Sequence, residues 1–242
     1  MKRKHILLFF ISLFFSVGIT TAQKKNEKAL DTLPRIEKYG LRVGIDLAKP
    51  VRTLVENGYS GFEIMGDFRV SKRFYAALEL GTEEKDWIEP YVSSRTNGSY
   101  AKIGFDYNAY ENWLGMRNSI NLGLRYGFSS FNQELLRYRI YTDNPAFPSE
   151  VVTTPVKFND LTAHWAEFIV SIKTEIVNNL YLSINLQLKR KIAETEPENF
   201  GNLYIPGFNR TYDYSEFGVG YGYTVSYLIP IFKKKSVSEV AE

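Results

Sequence analysis

The sequence predicts an all-β fold, a closed antiparallel up-and-down barrel of eight strands. Three observations predict it. Apolar and polar residues alternate with period two through eight segments. The links between those segments fall into alternating short and long classes. Aromatic residues reach 15% of the 242 positions while mean hydropathy is only −0.24, so the aromatics sit in a chain that is not uniformly apolar.

The first 22 residues are set apart from this pattern. Lys2, Arg3 and Lys4 precede the apolar run Ile6 to Ile19, and Thr20, Thr21 and Ala22 supply small residues for a signal peptidase. The run is shorter than the roughly 20 residues a spanning helix needs, so a cleaved secretory signal, residues 1–22, is expected rather than an anchor. Removing those three cations from the 30 basic residues leaves 27, equal to the 27 acidic ones. No net charge then recommends nucleic acid as a partner. The chain contains no cysteine, which excludes disulfides, thiol catalysis and an acylated-cysteine anchor.

A polar lead, residues 23–38, precedes the strands. The first strand sets Leu41, Val43, Ile45 and Leu47 against Arg42, Gly44 and Asp46; the second sets Phe62, Ile64, Phe68 and Val70 against Glu63, Met65, Asp67 and Arg69. The third carries Phe74, Ala76, Leu78 and Leu80, and the fourth Ala101, Ile103, Phe105 and Tyr107. The fifth runs from Ile120 through Phe128 and can continue towards Tyr141, the sixth runs from Ala166 to Ile172 with Ile169 breaking the rule, and the seventh from Leu180 to Leu188. The eighth, Phe217 to Tyr227, alternates aromatics and valines with Gly218, Gly220 and Gly222, and Pro230 is expected to end it. The barrel thus covers residues 39–232, and a charged tail occupies 233–242. Turns are expected near Ser71-Lys72, Val177 to Asn179 and Tyr110 to Arg117, with long loops at 49–58, 86–97, 142–160 and 194–212.

Alternation alone leaves open which face points outward. The apolar faces carry far more large side chains than the roughly twelve that fill a well-packed eight-stranded interior. Strand glycines, Gly104, Gly123 and Gly127 among them, fall on the polar face, where a crowded lumen explains them. The polar face also carries Arg42, Asp46, Glu63, Asp67, Arg69, Glu79, Lys102, Asp106, Arg125, Glu167, Lys173 and Lys189, charges that can pair across a narrow lumen. Apolar outside and charged inside is the outer-membrane type: hydrocarbon satisfies no backbone group, so a spanning sheet closes on itself.

The segments Tyr39-Gly-Leu-Arg-Val-Gly-Ile-Asp, Asn112-Trp-Leu-Gly-Met, Leu124-Arg-Tyr-Gly-Phe-Ser-Ser-Phe and Leu203-Tyr-Ile-Pro-Gly-Phe-Asn-Arg-Thr-Tyr resemble those of an uncharacterised domain-of-unknown-function family of secreted Gram-negative proteins, itself similar to small outer-membrane barrels. The resemblance spans nearly the whole mature chain and brings no activity with it. It implies localisation in the outer membrane, with membrane lipid and the barrel-assembly machinery as partners. Gly222, Val225 and Tyr227 match the spacing of a terminal assembly signal, although the chain continues past Phe232.

No enzyme, cofactor or metal site is expected. His164 is the only histidine beyond the signal, so no histidine cluster can form. A lipid-modifying hydrolase would use His164 with Glu167 and a loop serine, but no motif selects the serine. Glu63 and Asp67 share a face and read as structural pairing. Tyr204, Phe208, Arg210 and Tyr212, in the loop from 198 to 217, would suit contact with a sugar or protein, the alternative being that they pack the loop onto the barrel mouth. The expected role is therefore structural or loop-mediated, with a side-chain-filled lumen and an external ligand unidentified. The competing reading is a secreted soluble barrel or sandwich holding an apolar ligand inside.

Overall fold

The structure, a computed structural model, describes residues 35–110, 118–140, 142 and 149–236. The expected signal 1–22, residues 23–34 of the lead, the Asn112–Met116 motif and residues 237–242 of the tail lie outside the described residues. The chain divides into a unit of residues 37–234, which holds the sheet, and a smaller one of 1–36 with 235–242.

Eight long strands are described: β1 (Arg35–Asp46), β2 (Tyr59–Arg69), β3 (Phe74–Ile88), β4 (Val92–Asn108), β5 (Ser119–Arg139), β7 (Val156–Val177), β8 (Leu180–Glu194) and β11 (Phe217–Ser236). Short elements join them: α1 (Ala48–Val55), β6 (Val151–Val152), and the small pair β9 (Tyr204–Ile205) and β10 (Asn209–Arg210). Each long strand is hydrogen-bonded to its predecessor and successor, and β11 returns to β1, so one antiparallel sheet rings round. The ring is uneven. Taking the end with the short turns as the lower one, β3, β4, β5 and β7 rise at the upper end well past β1 and β2. There β5 and β7 stay paired as far as Leu135↔Val156.

The apolar rows face outward. Leu124 is 49% exposed and Ile184 57%, while Lys102 and Glu167 on the opposite face are 2% and 1% exposed. Register aligns these rows around the sheet, as in Phe105↔Leu124, Leu124↔Phe168 and Leu186↔Tyr221. Higher up, the same strands reverse their polarity. On β5 the outward row Ile120 to Phe128 gives way to Ser130 and Asn132, and the inward row changes from Asn121 and Arg125 to Phe131 and Leu135. On β7 the inward residues change likewise from Lys173 and Glu167 to Trp165, Ala163 and Leu161.

Several expectations are corrected. Residues 86–97 are not a long loop: β3 runs to Ile88, β4 starts at Val92, and Asp86 pairs with Arg95. Trp87 and Ile88 stand side by side there and Ser93 to Asn97 contains no apolar residue, which hides the alternation, yet Arg95 Nε donates to Asp86 Oδ1 at 2.6 Å across the strands. Residues 48–55 form α1 rather than loop. The first strand begins at Arg35, before residue 39, and the last runs through Pro230 to Ser236. Pro230 is tolerated because its missing N–H would face β8, on the side to which the Leu228 N–H points (2.8 Å to the Asn179 carbonyl). Pairing with β8 ends at Tyr227↔Leu180, so no ladder bond is lost at Pro230.

Candidate functional site

The chemistry of the described residues is concentrated inside the ring, in three tiers. Period-two geometry sends alternate side chains inward, so charged residues from every long strand converge there. In the lowest tier Arg42 forks onto Asp67, with Nε at 2.9 Å and Nη2 at 2.8 Å from Oδ1, and Lys173 Nζ reaches the other oxygen at 2.8 Å. The Arg42 guanidinium also lies over the Tyr181 ring at 4.7 Å. In the middle tier Arg125 bridges Glu79 at 3.0 Å and Asp106 at 2.7 Å. Lys102 Nζ sits among Glu79 at 2.5 Å, Glu63 at 3.3 Å and Glu167 at 3.8 Å.

The upper tier joins the network to the connections. Glu83 accepts hydrogen bonds from the Tyr59 hydroxyl at 2.9 Å, the Tyr204 hydroxyl at 2.7 Å and the Gly207 N–H at 2.9 Å, and pairs with Lys49 of α1. Burial works against the charge on Lys49, but Glu83 and Glu63 outweigh it and hold its pKa above the ordinary lysine value. Lys189 Nζ donates to the Gly207 carbonyl at 2.7 Å, and Trp165 Nε1 to Glu167 at 3.2 Å. Above lies a dry cluster: Tyr100, Phe131, Leu161, Ala163, Trp165, Ile205 and Phe208. Gly127 makes room for it, since a Cβ there would overlap the Trp165 ring.

Eleven of the twelve charged residues named for the lumen are thus buried inside the ring. Arg69 is not among them. As the last residue of β2 it bends to the turn, donating to the Ser71 and Lys72 carbonyls at 3.2 and 2.7 Å and lying over Tyr39. For Tyr204 and Phe208 the packing alternative holds and the external contact is corrected, because the segment from Asn202 to Phe208 folds down into the upper interior and buries both. Arg210 stays exposed, stacked on Trp87 at 4.7 Å and Tyr212 at 4.9 Å, and Tyr214, 86% exposed, lies against Tyr212.

His164 and Glu167 are parted. His164 faces outward, its Nδ1 2.8 Å from the Tyr126 hydroxyl and its ring 4.9 Å from that of Phe128, while Glu167 faces inward. The two cannot share a proton across the wall. Among the described residues no cluster of metal-ligating side chains occurs.

Missed by sequence reasoning were Lys49, Arg52, Glu56 and Glu83, which tie α1 to the interior. Arg52 and Lys85 both donate to Glu56, and the hydrogen bond from Arg52 chiefly, against a smaller effect of burial, lowers the Glu56 pKa to about 2. A depressed carboxylate stabilises the fold fully above its ordinary value near 4.5 and loses that contribution as pH falls through 2. Hydrogen exchange of the α1 amides in Glu56→Gln at pH 7 is therefore expected to be faster than in wild type. Below about pH 2 the two proteins should exchange alike. Equal protection at pH 7 would show the clasp to be idle.

The chain belongs to the DUF6048 family, a domain of unknown function, whose model matches residues 6–234. No curated protein matches it.

Proposed function

We propose that this DUF6048 protein is a small outer-membrane β-barrel, exported by its N-terminal signal, closed by the β1–β11 pairing and filled by its own side chains. Its role is structural or loop-mediated rather than enzymatic, and its partners are membrane lipid and, during biogenesis, the barrel-assembly machinery. The observation that carries the reading is the reversal of polarity along β5 and β7. A strand with apolar residues out and charges in over one stretch, then the opposite over the next, fits two solvents in succession. The outward apolar rows span nine residues on β5 (Ile120 to Phe128) and nine on β8 (Leu180 to Leu188), within the roughly 9–11 a tilted spanning strand needs. A soluble barrel with an apolar ligand inside would need the reverse arrangement in its lower part, where Lys102, Arg125 and Lys173 now fill the interior.

Above the apolar belt the exposed group Arg210, Tyr212 and Tyr214 is the part of the loops best suited to contact a partner, since Tyr and Arg are enriched among the residues that carry binding energy. The barrel reading is tested by cell fractionation followed by electrophoresis with and without boiling. The expected result is recovery in the outer membrane and faster migration of the unboiled band. Recovery in the soluble fraction without a heat shift would refute it. With the interior occupied, planar-bilayer recordings are expected to show no stable large pore, and a reproducible open channel would count against the filled lumen.

A further inference from the structure

The wall has an opening on one side. The last backbone bond between β1 and β11 runs from the Leu47 N–H to the Tyr223 carbonyl, at 2.6 Å. Beyond it the chain turns into α1, so residues 217–222 of β11 pair with β8 but have no strand on the other side. The helix is fastened to the far side of the gap, where Thr53 Oγ1 accepts from the Gly61 N–H at 3.1 Å. Between α1 and β11 lies a cavity of about 510 Å³. Lys49, Arg52, Lys102 and Lys189 line it with Asp46 and Glu63, and of the four cations Lys49, Arg52 and Lys102 are already paired, with Glu83, Glu56 and Glu79.

Lys189 is the cation least satisfied by its neighbours. It is 2% exposed, its one hydrogen bond is to a carbonyl, and its nearest carboxylate oxygen, on Glu167, is 4.0 Å away. An ammonium has three donors, so two remain to be used. It lies beneath Gly220, 3.1 Å from where a Cβ would stand, and the missing side chain keeps the cavity open. Strand alternation turns the amides of Val219 and Tyr221 towards the same gap as the Tyr223 carbonyl, where no strand of the ring faces them and the Asn209 side chain donates to the Val219 carbonyl at 3.3 Å. At the mouth Leu186, Val219 and Tyr221 belong to the outward apolar face, Val219 being 74% exposed.

From the under-satisfied Lys189, the amides without a facing strand and the apolar lip, we infer that this lateral cavity binds the anionic head group of a single-chain amphiphile. The head oxygens accept from Lys189 and the β11 amides, and the acyl chain lies outside along Leu186, Val219 and Tyr221. This inference rests on the membrane reading above, because the amphiphile enters from the bilayer.

The test uses full-length protein extracted in dodecyl maltoside, native mass spectrometry and dodecyl phosphate as the probe. Wild type should retain one dodecyl phosphate, Lys189→Gln should weaken retention about tenfold, and Gly220→Leu should abolish it by filling the cavity. Lys157→Gln, at an exposed ion pair elsewhere, should bind as wild type does. Inorganic phosphate at the same concentration should neither bind nor displace the probe; if it does, the site takes a small anion and the amphiphile assignment is wrong. Heat-shifted, correctly folded protein that retains no dodecyl phosphate, or retains it equally in both cavity variants, overturns the inference while leaving the barrel reading intact. Protein that shows no heat shift and no membrane association fails the barrel reading instead.

Discussion

Replacing Lys102 by methionine is expected to destabilise the folded protein by about 3–5 kcal/mol, the usual cost of removing one partner from a buried ionic cluster. The lysine stands between Glu79, Glu63 and Glu167, so its loss leaves three buried carboxylates with reduced compensation. Arg125 still serves Glu79, but Glu167 keeps only the Trp165 hydrogen bond and the distant Lys189. Urea unfolding from lipid vesicles, followed by loss of the heat-shifted band, measures the effect. Adding Glu167→Gln should restore part of the loss, because it removes the carboxylate left with least compensation. A cost below about 1 kcal/mol would mean that water screens the interior as it does a surface pair.

Leu124→Arg is the second large effect, and its size depends on what surrounds the belt. In hydrocarbon an outward arginine near mid-belt costs about 2–4 kcal/mol, falling to about 0–1 near the interfaces. In water the same exposed position would tolerate the change within roughly 0.5 kcal/mol. Ser130→Arg, on the same face of the same strand but above the polarity reversal, is the internal comparison and should cost little. Equal costs at the two positions, by the same vesicle unfolding assay, would remove the apolar solvent from the account.

The period-two pattern made the positions of the eight long strands and their polar faces legible, because one residue of register error would exchange the faces wholesale. The charged interior was legible for the same reason, since residues such as Glu79 and Arg125 sit where alternation sends them. What escaped has physical causes. In the hairpin of β3 and β4 between Asp86 and Asn97, Trp87 and Ile88 are adjacent and Ser93 to Asn97 contains no apolar residue, so no alternation marks it. In α1, Pro50 in the first turn with Val51, Leu54 and Val55 on one side is a helical signature, but two turns are too short for periodicity to stand out. The reversal on β5 is written in Phe128 and Phe131, an odd number of residues apart and therefore on opposite faces. Tyr204 and Phe208 resembled surface aromatics because their burial depends on Glu83, Trp165 and Tyr100, residues distant in sequence that only the ring brings near.

The bond between Leu47 and Tyr223 joins positions separated by most of the chain. A contact so remote in sequence forms late, after a large loss of chain entropy, and topologies dominated by such contacts fold slowly. Until β11 is available, β1 and β8 each present an unpaired edge, and an open sheet of this length is a template for the wrong neighbour. The ring closes only when residues 217–236 are in place, and its edges at β1 and β8 stay open to wrong pairing until then.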